Sequence, residues 1–365
     1  MKIAIIGAGN IGTHFAISFA SMGYEVRICS PRYKEISKHL ELVDEKDGLL
    51  KTAKIALVSD DMRACLCGAN MIFITTPAQI ADEICARILP FISSSSSICF
   101  APGGSGAEFA FKPCLEKGAK IYALQRVPSI ARLVKYGKRL WASKPRARLF
   151  ISCLGGAKND DFLEVLGRVF DCEVIFLKDF LNISLASSNA ILHTARLFVI
   201  FKGFKEGKFY DTLPLFYENW DDESSELFLA LDDELGSICK ALSDFDLSGV
   251  KSIKEHYESQ NIKELSAKIR SIPAFKGLKT PAVFVKNKGY KPDFSSRYFV
   301  ADFDYGLEVL VGISQFLGLN TPKMREVLSW YKCFNIASKS FNFTTYEIKN
   351  KNTFVDFYKK YSYIY

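Results

Sequence analysis

At 365 residues the chain is longer than most single compact domains, so two domains are expected. With 48% hydrophobic and 24% charged residues it can bury cores of ordinary size, which excludes an intrinsically disordered chain. The formal charge of +8, from 48 Lys+Arg against 40 Asp+Glu, is spread along the chain. That argues against a nucleic-acid partner and suits anionic small ligands.

Lys2–Ile6 (KIAII) reads as a strand and runs into Gly7-Ala8-Gly9-Asn10-Ile11-Gly12, followed by a helix over Thr13–Met22 and a strand over Glu25–Cys29. Strand, glycine loop and helix in that order give a GxGxxG pattern its meaning as a dinucleotide site. Further strands are expected at Lys54–Leu57, Met71–Thr75 and Ser97–Phe100, with a helix over Ile80–Ile88 between the last two. Ala101-Pro102-Gly103-Gly104-Ser105-Gly106 reads as a turn, Ala107–Lys117 as a helix, and Ile121–Leu124, Ala147–Ser152 and Cys172–Leu177 as strands. The alternation predicts an α/β Rossmann domain with a doubly wound parallel sheet over 1–180. From 181 to 365 the spacing turns helical, which predicts a mainly α-helical second domain carrying substrate and catalytic residues.

Leu181–Phe201 is the most apolar stretch, but Asn182, Asn189, His193 and Arg196 are costly in lipid, so a buried helix is expected and no membrane partner. Phe341–Tyr365 reads as an amphipathic closing segment that docks. Ten cysteines without module spacing or CxxC, and a first strand starting at Lys2 with no leader before it, predict reduced thiols and a cytoplasmic protein.

Each glycine of the loop has a duty: Gly7 makes the tight turn, Gly9 admits the pyrophosphate, and Gly12 lets helix and sheet pack closely, with the amides around Asn10 and Ile11 facing phosphates. The second strand ends in Ser30-Pro31-Arg32 with no carboxylate. Ser30 and Arg32 suit a 2′-phosphate, so NADP(H) is favoured over NAD(H); Arg32 stacked on adenine or facing solvent is the alternative. Thr75-Thr76-Pro77, ending a buried strand, is a second expected cofactor contact, or a plain turn.

Of the histidines at 14, 39, 193 and 256, only His193 lies where a buried helix pairs it with a polar neighbour one turn away, Asn189. Spacing alone leaves it equally a satisfied core histidine. Asn189-Ala190-Ile191-Leu192-His193 resembles the Asn-Ala-x-x-His helix of the octopine and nopaline (opine) dehydrogenases. Arg297-Tyr298-Phe299-Val300-Ala301-Asp302-Phe303-Asp304-Tyr305-Gly306-Leu307 resembles that family's Arg-Tyr-Leu-x-Glu-Asp-x-x-x-Gly-Leu segment, and Gly318-Leu319-Asn320-Thr321-Pro322 a further turn.

The resemblance implies a two-domain oxidoreductase that condenses an amino acid with a 2-oxo acid and reduces the imine. It makes His193 the acid/base, Asp302 its orienting carboxylate and Arg297 the holder of a substrate carboxylate. Without the resemblance, Arg297 and Asp302 read as an ion pair or cap in a polar loop. Asn189 is expected to bind substrate or nicotinamide, or to satisfy nearby backbone groups; Arg132 to bind substrate or lie on a solvated helix face. Thr194, Ala301 and Gln125 depart from the family pattern, which bears on the choice of amino acid. The rival readings are a 2-oxo acid reductase of the ketopantoate reductase or 2-hydroxyacid dehydrogenase type, which typically carries a lysine in the catalytic helix, and an NADP-sensing protein without turnover. No metal is implied, and a homodimer is compatible.

Overall fold

The computed structural model describes every residue except 45, 47, 187, 335–338 and 363–365. It divides into two units, Met1–Ser184 with Asp356–Tyr365, and Leu185–Val355. The boundary therefore falls after Ser184 rather than at 180, and the end of the chain belongs to the first unit, not the second. Packing explains both corrections. A Cβ on Gly103 would lie 2.6 Å from Ile183, and Gln125 donates to the Asn182 carbonyl at 3.0 Å. Phe357 packs on Phe109 at 4.7 Å, and the Gly155 amide donates to the Tyr361 carbonyl at 2.8 Å. Of the closing segment Phe341–Tyr365, the part from Asp356 thus docks on the first unit while Phe341–Val355 belongs to the second; residues 363–365 lie outside the described residues.

In the first unit, β1 (Lys2–Ile6), β2 (Glu25–Cys29) and β7 (Ser97–Phe100) have the expected bounds, and β6 is Met71–Ile74. With β5 (Leu57–Ser59), β8 (Lys120–Leu124), β11 (Arg148–Leu154) and β12 (Glu173–Phe176) they form one sheet in the order β12-β11-β8-β7-β6-β1-β2-β5. All are parallel from β8 to β5, while β11 runs antiparallel to β8 and parallel to β12. The central strands are apolar throughout because both faces are covered. Helix α1 (Asn10–Ser21) lays Phe15 on Phe73 at 5.2 Å and on Phe170 at 4.8 Å.

Three local expectations change. Lys54–Leu57 is a junction between β4 (Leu49–Lys54) and β5, which belong to different sheets. Ala107–Lys117 is two short helices, Ala107–Ala110 and Lys112–Glu116, because Pro113 cannot donate to a preceding turn. A second sheet, β4-β3-β10-β9, joins β3 (His39–Val43) and β4 to β9 (Ala131–Lys135) and β10 (Arg139–Ala142). Leu40, Ala53, Ala131 and Leu140 from that sheet join Phe15 and Phe19 in one core.

The buried Glu108 accepts from the hydroxyls of Ser184 at 2.5 Å and Tyr358 at 2.8 Å, and burial pushes its carboxyl pKa up. These bonds add a polar tie to the apolar docking of the chain end.

The second unit is mainly helical. It contains Asn189–Phe201, Asp222–Ala241, Ile262–Ser271, Glu308–Phe316 and Pro322–Lys332, with one hairpin, β13 (Ala282–Val285) and β14 (Gly289–Pro292). Leu181–Phe201 passes a length-and-composition test for a membrane span, yet 71% of its most apolar window is buried in protein. Within it Asn182, His193 and Arg196 are buried with hydrogen-bond partners, as in a core helix.

His14 in α1 is buried, its Nδ1 has no partner, and burial, with Lys51 nearby, lowers its pKa to about 4. An unfolded histidine titrates near 6.5. Between those values the unfolded chain holds a proton that the folded protein lacks, so stability falls as pH drops through that window. Urea unfolding at pH 7.5 and 4.5 should show the wild type losing about 2–3 kcal/mol more than His14→Gln. Equal losses would mean that His14 does not titrate this way.

Candidate active site

The glycine loop lies between β1 and β6, where the strand order reverses and open α/β sheets bind ligands. Gly7 has φ +107°, and a side chain there would also strike the Thr75 hydroxyl at 2.7 Å. A Cβ on Gly12 would lie 2.1 Å from the Gly7 carbonyl oxygen, whereas one on Gly9 would meet nothing within 4 Å. Gly12 is thus needed for packing, and Gly9 faces open space. Gly9 caps α1 without a side-chain hydrogen bond, and the first turn carries no acid. These features fit a pyrophosphate.

The neighbouring groups divide by role. Thr75 donates to the Ile6 carbonyl at 3.0 Å and braces the loop. Thr76 has a buried hydroxyl with no hydrogen-bond partner among the described residues, an orphaned polar group that suits a cofactor contact. Pro77 starts the turn after them. The Asn10 side chain accepts from the Leu133 amide at 2.8 Å, tying the loop to β9, while Ile11 is half-buried beside it.

At the end of β2, Ser30 is buried and accepts from the Arg32 amide at 3.3 Å. Arg32 lies over the Tyr136 ring at 3.7 Å and forks onto Glu35, with Nε 2.7 Å from the carboxylate. Glu35, in the turn Tyr33–Glu35 six residues beyond the end of β2, therefore brings a carboxylate back to Arg32.

In the second unit, His193 Nδ1 is 2.7 Å from Asp302 Oδ2, and Nε2 is 2.6 Å from the Tyr217 hydroxyl. An ionised carboxylate only accepts, so Nδ1–H donates to Asp302 and Nε2 accepts from Tyr217. Partners 109 residues apart meet because of one close contact: a Cβ on Gly306 would lie 2.9 Å from Ala190 Cβ. Ala190 precedes His193 by one turn. Gly306 lies in the π-helical turn Phe303–Leu307 that follows Asp302, closed by the Leu307 amide on the Asp302 carbonyl at 2.8 Å. Such turns re-aim side chains at functional sites. Asp304 is held inside by the Tyr331 hydroxyl at 2.9 Å.

Arg196, one turn after His193 and fully buried, clamps the segment bearing Tyr217. It donates to the carbonyls of Phe216 at 3.0 Å and Asn219 at 2.6 Å, and to Asp221 at 2.6 Å. Burial lowers its pKa, and Asp221 opposes that shift. Tyr298 lies against the His193 ring at 4.5 Å, with the Arg297 guanidinium 5.7 Å from its own ring. Arg297 is exposed and, among the described residues, has no carboxylate in ion-pair reach, so its fork can take an external carboxylate.

Asn189 is exposed at the first residue of its helix. Arg132 is exposed on the edge strand β9 of the first unit, not on a helix. Of the departures, Thr194 bonds back to the Ala190 carbonyl at 2.6 Å, which a proline could not do. Sequence reasoning missed Tyr217, which sits in an apolar run without spacing to mark it, and Arg196, visible only as an obstacle to membrane insertion.

Residues 176–335 match the family model for the α-helical domain of NAD/NADP octopine/nopaline dehydrogenase, and residues 2–105 match the N-terminus of NAD-dependent glycerol-3-phosphate dehydrogenase. Octopine dehydrogenase of Mizuhopecten yessoensis is 26% identical over 359 residues, covering 90% of this chain and 89% of that protein. The stretch that holds His193, Tyr217, Arg297 and Asp302 is thus similar to the opine dehydrogenases. Opine dehydrogenase of Haliotis discus hannai is 26% identical over 363 residues, covering 90% and 89%. The solved structure of octopine dehydrogenase with NADH and L-arginine superposes with a TM-score of 0.82 at 22% identity, covering 100% of this chain and 99% of that one. The opine dehydrogenase helical match contains His193, Tyr217, Arg297 and Asp302; the nucleotide match contains the glycine loop, Ser30, Arg32 and Thr75-Thr76-Pro77. Arg132 lies in neither.

Gly306→Ala should destabilise the protein by about 1–3 kcal/mol through overpacking. Gly236→Ala, in a helix with nothing within 4 Å of the new Cβ, should stabilise it by roughly 0.5–1 kcal/mol. Urea denaturation of both variants tests the contact; equal effects would remove Gly306 from its assigned place.

Proposed function

We propose that this chain is an opine dehydrogenase-family oxidoreductase that joins the amino group of an amino acid to a 2-oxo acid and reduces the resulting C=N bond with NAD(P)H. The observation that carries the reading is the His193–Asp302 pair together with an exposed Arg297 that has no acidic partner among the described residues. The nicotinamide cofactor, when bound, supplies the hydride. Gly7, Gly9, Gly12 and the amides at Asn10 and Ile11 would hold its pyrophosphate, with Thr76 beside them. Arg297 grips the carboxylate of the oxo acid and aligns its carbonyl. His193, fixed in one tautomer by Asp302, is the acid/base that stores the proton lost by the incoming ammonium until the departing hydroxyl needs it. These roles and the family match favour condensation over a 2-oxo acid reductase or a cofactor sensor without turnover.

Within the cofactor site, Ser30 and Arg32 support NADP(H) over NAD(H), and Glu35 limits the preference. A 2′-phosphate has to draw the Arg32 fork away from that carboxylate. Asn189, exposed four residues before His193, and the exposed Arg132 would add substrate contacts. Ten free thiols support a reducing, cytoplasmic setting. One chain carries every residue invoked, and a homodimer is compatible with the assignment.

Purified protein should oxidise NADPH only when given both a 2-oxo acid such as pyruvate and an amino acid, with a condensed product by mass. Oxidation with the oxo acid alone would indicate a simple reductase. His193→Ala should lower turnover on the order of 100-fold while leaving NADPH binding unchanged; full activity would remove the histidine from the chemistry. Arg32→Ala should weaken NADPH more than NADH, and Glu35→Gln should strengthen NADPH relative to NADH. Equal changes for both cofactors would overturn the 2′-phosphate assignment.

A further inference from the structure

His193 offers no free nitrogen to a substrate. Asp302 holds Nδ1 at 2.7 Å and the Tyr217 hydroxyl holds Nε2 at 2.6 Å. The ring is 3% exposed, with Tyr298 at 4.5 Å and Phe216 at 5.7 Å against it. A proton moving between Nε2 and a substrate meets the Tyr217 oxygen first.

Tyr217 is also anchored. Its ring stacks on Phe275 at 4.1 Å and 15°, stands edge-on to Phe216 at 4.8 Å, and lies parallel to Trp220 at 6.4 Å. Its backbone is held on both sides: the Phe216 amide donates to Leu278 and the Trp220 amide to the Tyr217 carbonyl, while Arg196 clamps the carbonyls of Phe216 and Asn219. At 4% exposure, a side chain packed this way keeps its hydroxyl on Nε2 rather than swinging aside to uncover it.

We propose that Tyr217 is a third catalytic group, relaying protons between His193 and the substrate; this rests on the condensation reading above. The substrate ammonium gives a proton to the Tyr217 oxygen as the phenolic proton passes to Nε2, leaving a neutral amine and an imidazolium held by Asp302. The amine lone pair forms the C–N bond, and the C=O π pair moves to oxygen, which takes up the proton shed by nitrogen. Nε2–H then returns its proton to the Tyr217 oxygen as the phenolic proton passes to that hydroxyl. The C–O bond breaks, water leaves, and the nitrogen lone pair closes the C=N bond. The relay accepts one proton and returns one, so it ends as it began, and hydride reduction follows. The phenol suits this task because one oxygen both donates and accepts.

Tyr217→Phe keeps the ring and its stacking and removes only the oxygen. We expect single-turnover condensation to slow roughly 10- to 100-fold, with cofactor Kd and thermal melting little changed. Tyr217→Phe combined with His193→Ala should be no slower than His193→Ala alone, since both act on one relay. Replacing Tyr217 with 3,5-difluorotyrosine, which makes the phenol more acidic at nearly constant shape, should change the rate and the solvent deuterium isotope effect. If Tyr217→Phe turns over at the wild-type rate or faster, or if the losses multiply in the double variant, the hydroxyl merely stoppers Nε2 and the proposal falls. An unchanged rate in the fluorinated protein would also overturn it. Wild-type protein without amine-dependent cofactor oxidation would overturn the condensation reading and this one together; an active wild type with an undiminished Tyr217→Phe overturns this one alone.

Discussion

An ionised carboxylate can accept a hydrogen bond but not donate one, and the polarity of the His193–Asp302–Tyr217 unit follows from that constraint at Asp302. Its oxygen takes Nδ1–H of His193, which leaves Nε2 as the acceptor and requires Tyr217 to donate. Reversing any member would leave two acceptors or two donors facing each other in a buried site, at a cost of about 1–3 kcal/mol. The geometry that enforces the arrangement is steric. Ala190 and Gly306 are small enough to bring the two segments together, and the π-helical turn sets Asp302 at its start.

Arg196 couples this chemistry to stability. A buried guanidinium is costly unless its donors are satisfied. Here the satisfying groups are two carbonyls, Asp221 and the Ser224 hydroxyl. They are drawn from the segment that carries Tyr217 and from the start of the helix after it, so the bonds that offset burying the charge also fix the tyrosine. Core and site are the same set of contacts, which explains why the apolar helix 189–201 contains both a histidine and an arginine.

Much of the first unit was legible because its signals are local. Apolar runs marked β1, β2, β6 and β7, and the glycine loop announced the strand–helix turn that GxGxxG serves. The second sheet was not, because its strands are short, largely exposed on β4 and β9, and paired between segments nearly a hundred positions apart. Pro113 divided a helix that its neighbours favoured, and Glu35 reached back to Arg32 from a turn beyond the strand. His193 and Asp302 illustrate the limit: no periodicity relates residues so far apart, and only the likeness of both segments to one family joined them. Tyr217 belonged to no such motif. At Asn189 helical spacing put the residue on the histidine's helix but did not reveal that it is exposed while Ala190, Ile191 and Leu192 of the same turn are buried.

The return of Asp356–Tyr365 to the first unit bears on the order of biosynthesis. Residues near 100–184 leave the ribosome long before the segment that covers Phe109 and bonds Glu108. Until residue 361 emerges, Glu108 lacks its tyrosine partner and the Gly155 amide lacks its carbonyl, so the nucleotide-binding unit waits, partly open, while the helical unit is made. Contacts of such sequence separation form late. A nascent chain paused within the second unit therefore leaves Phe109 without the Phe357 and Tyr358 rings that pack on it once the chain is complete.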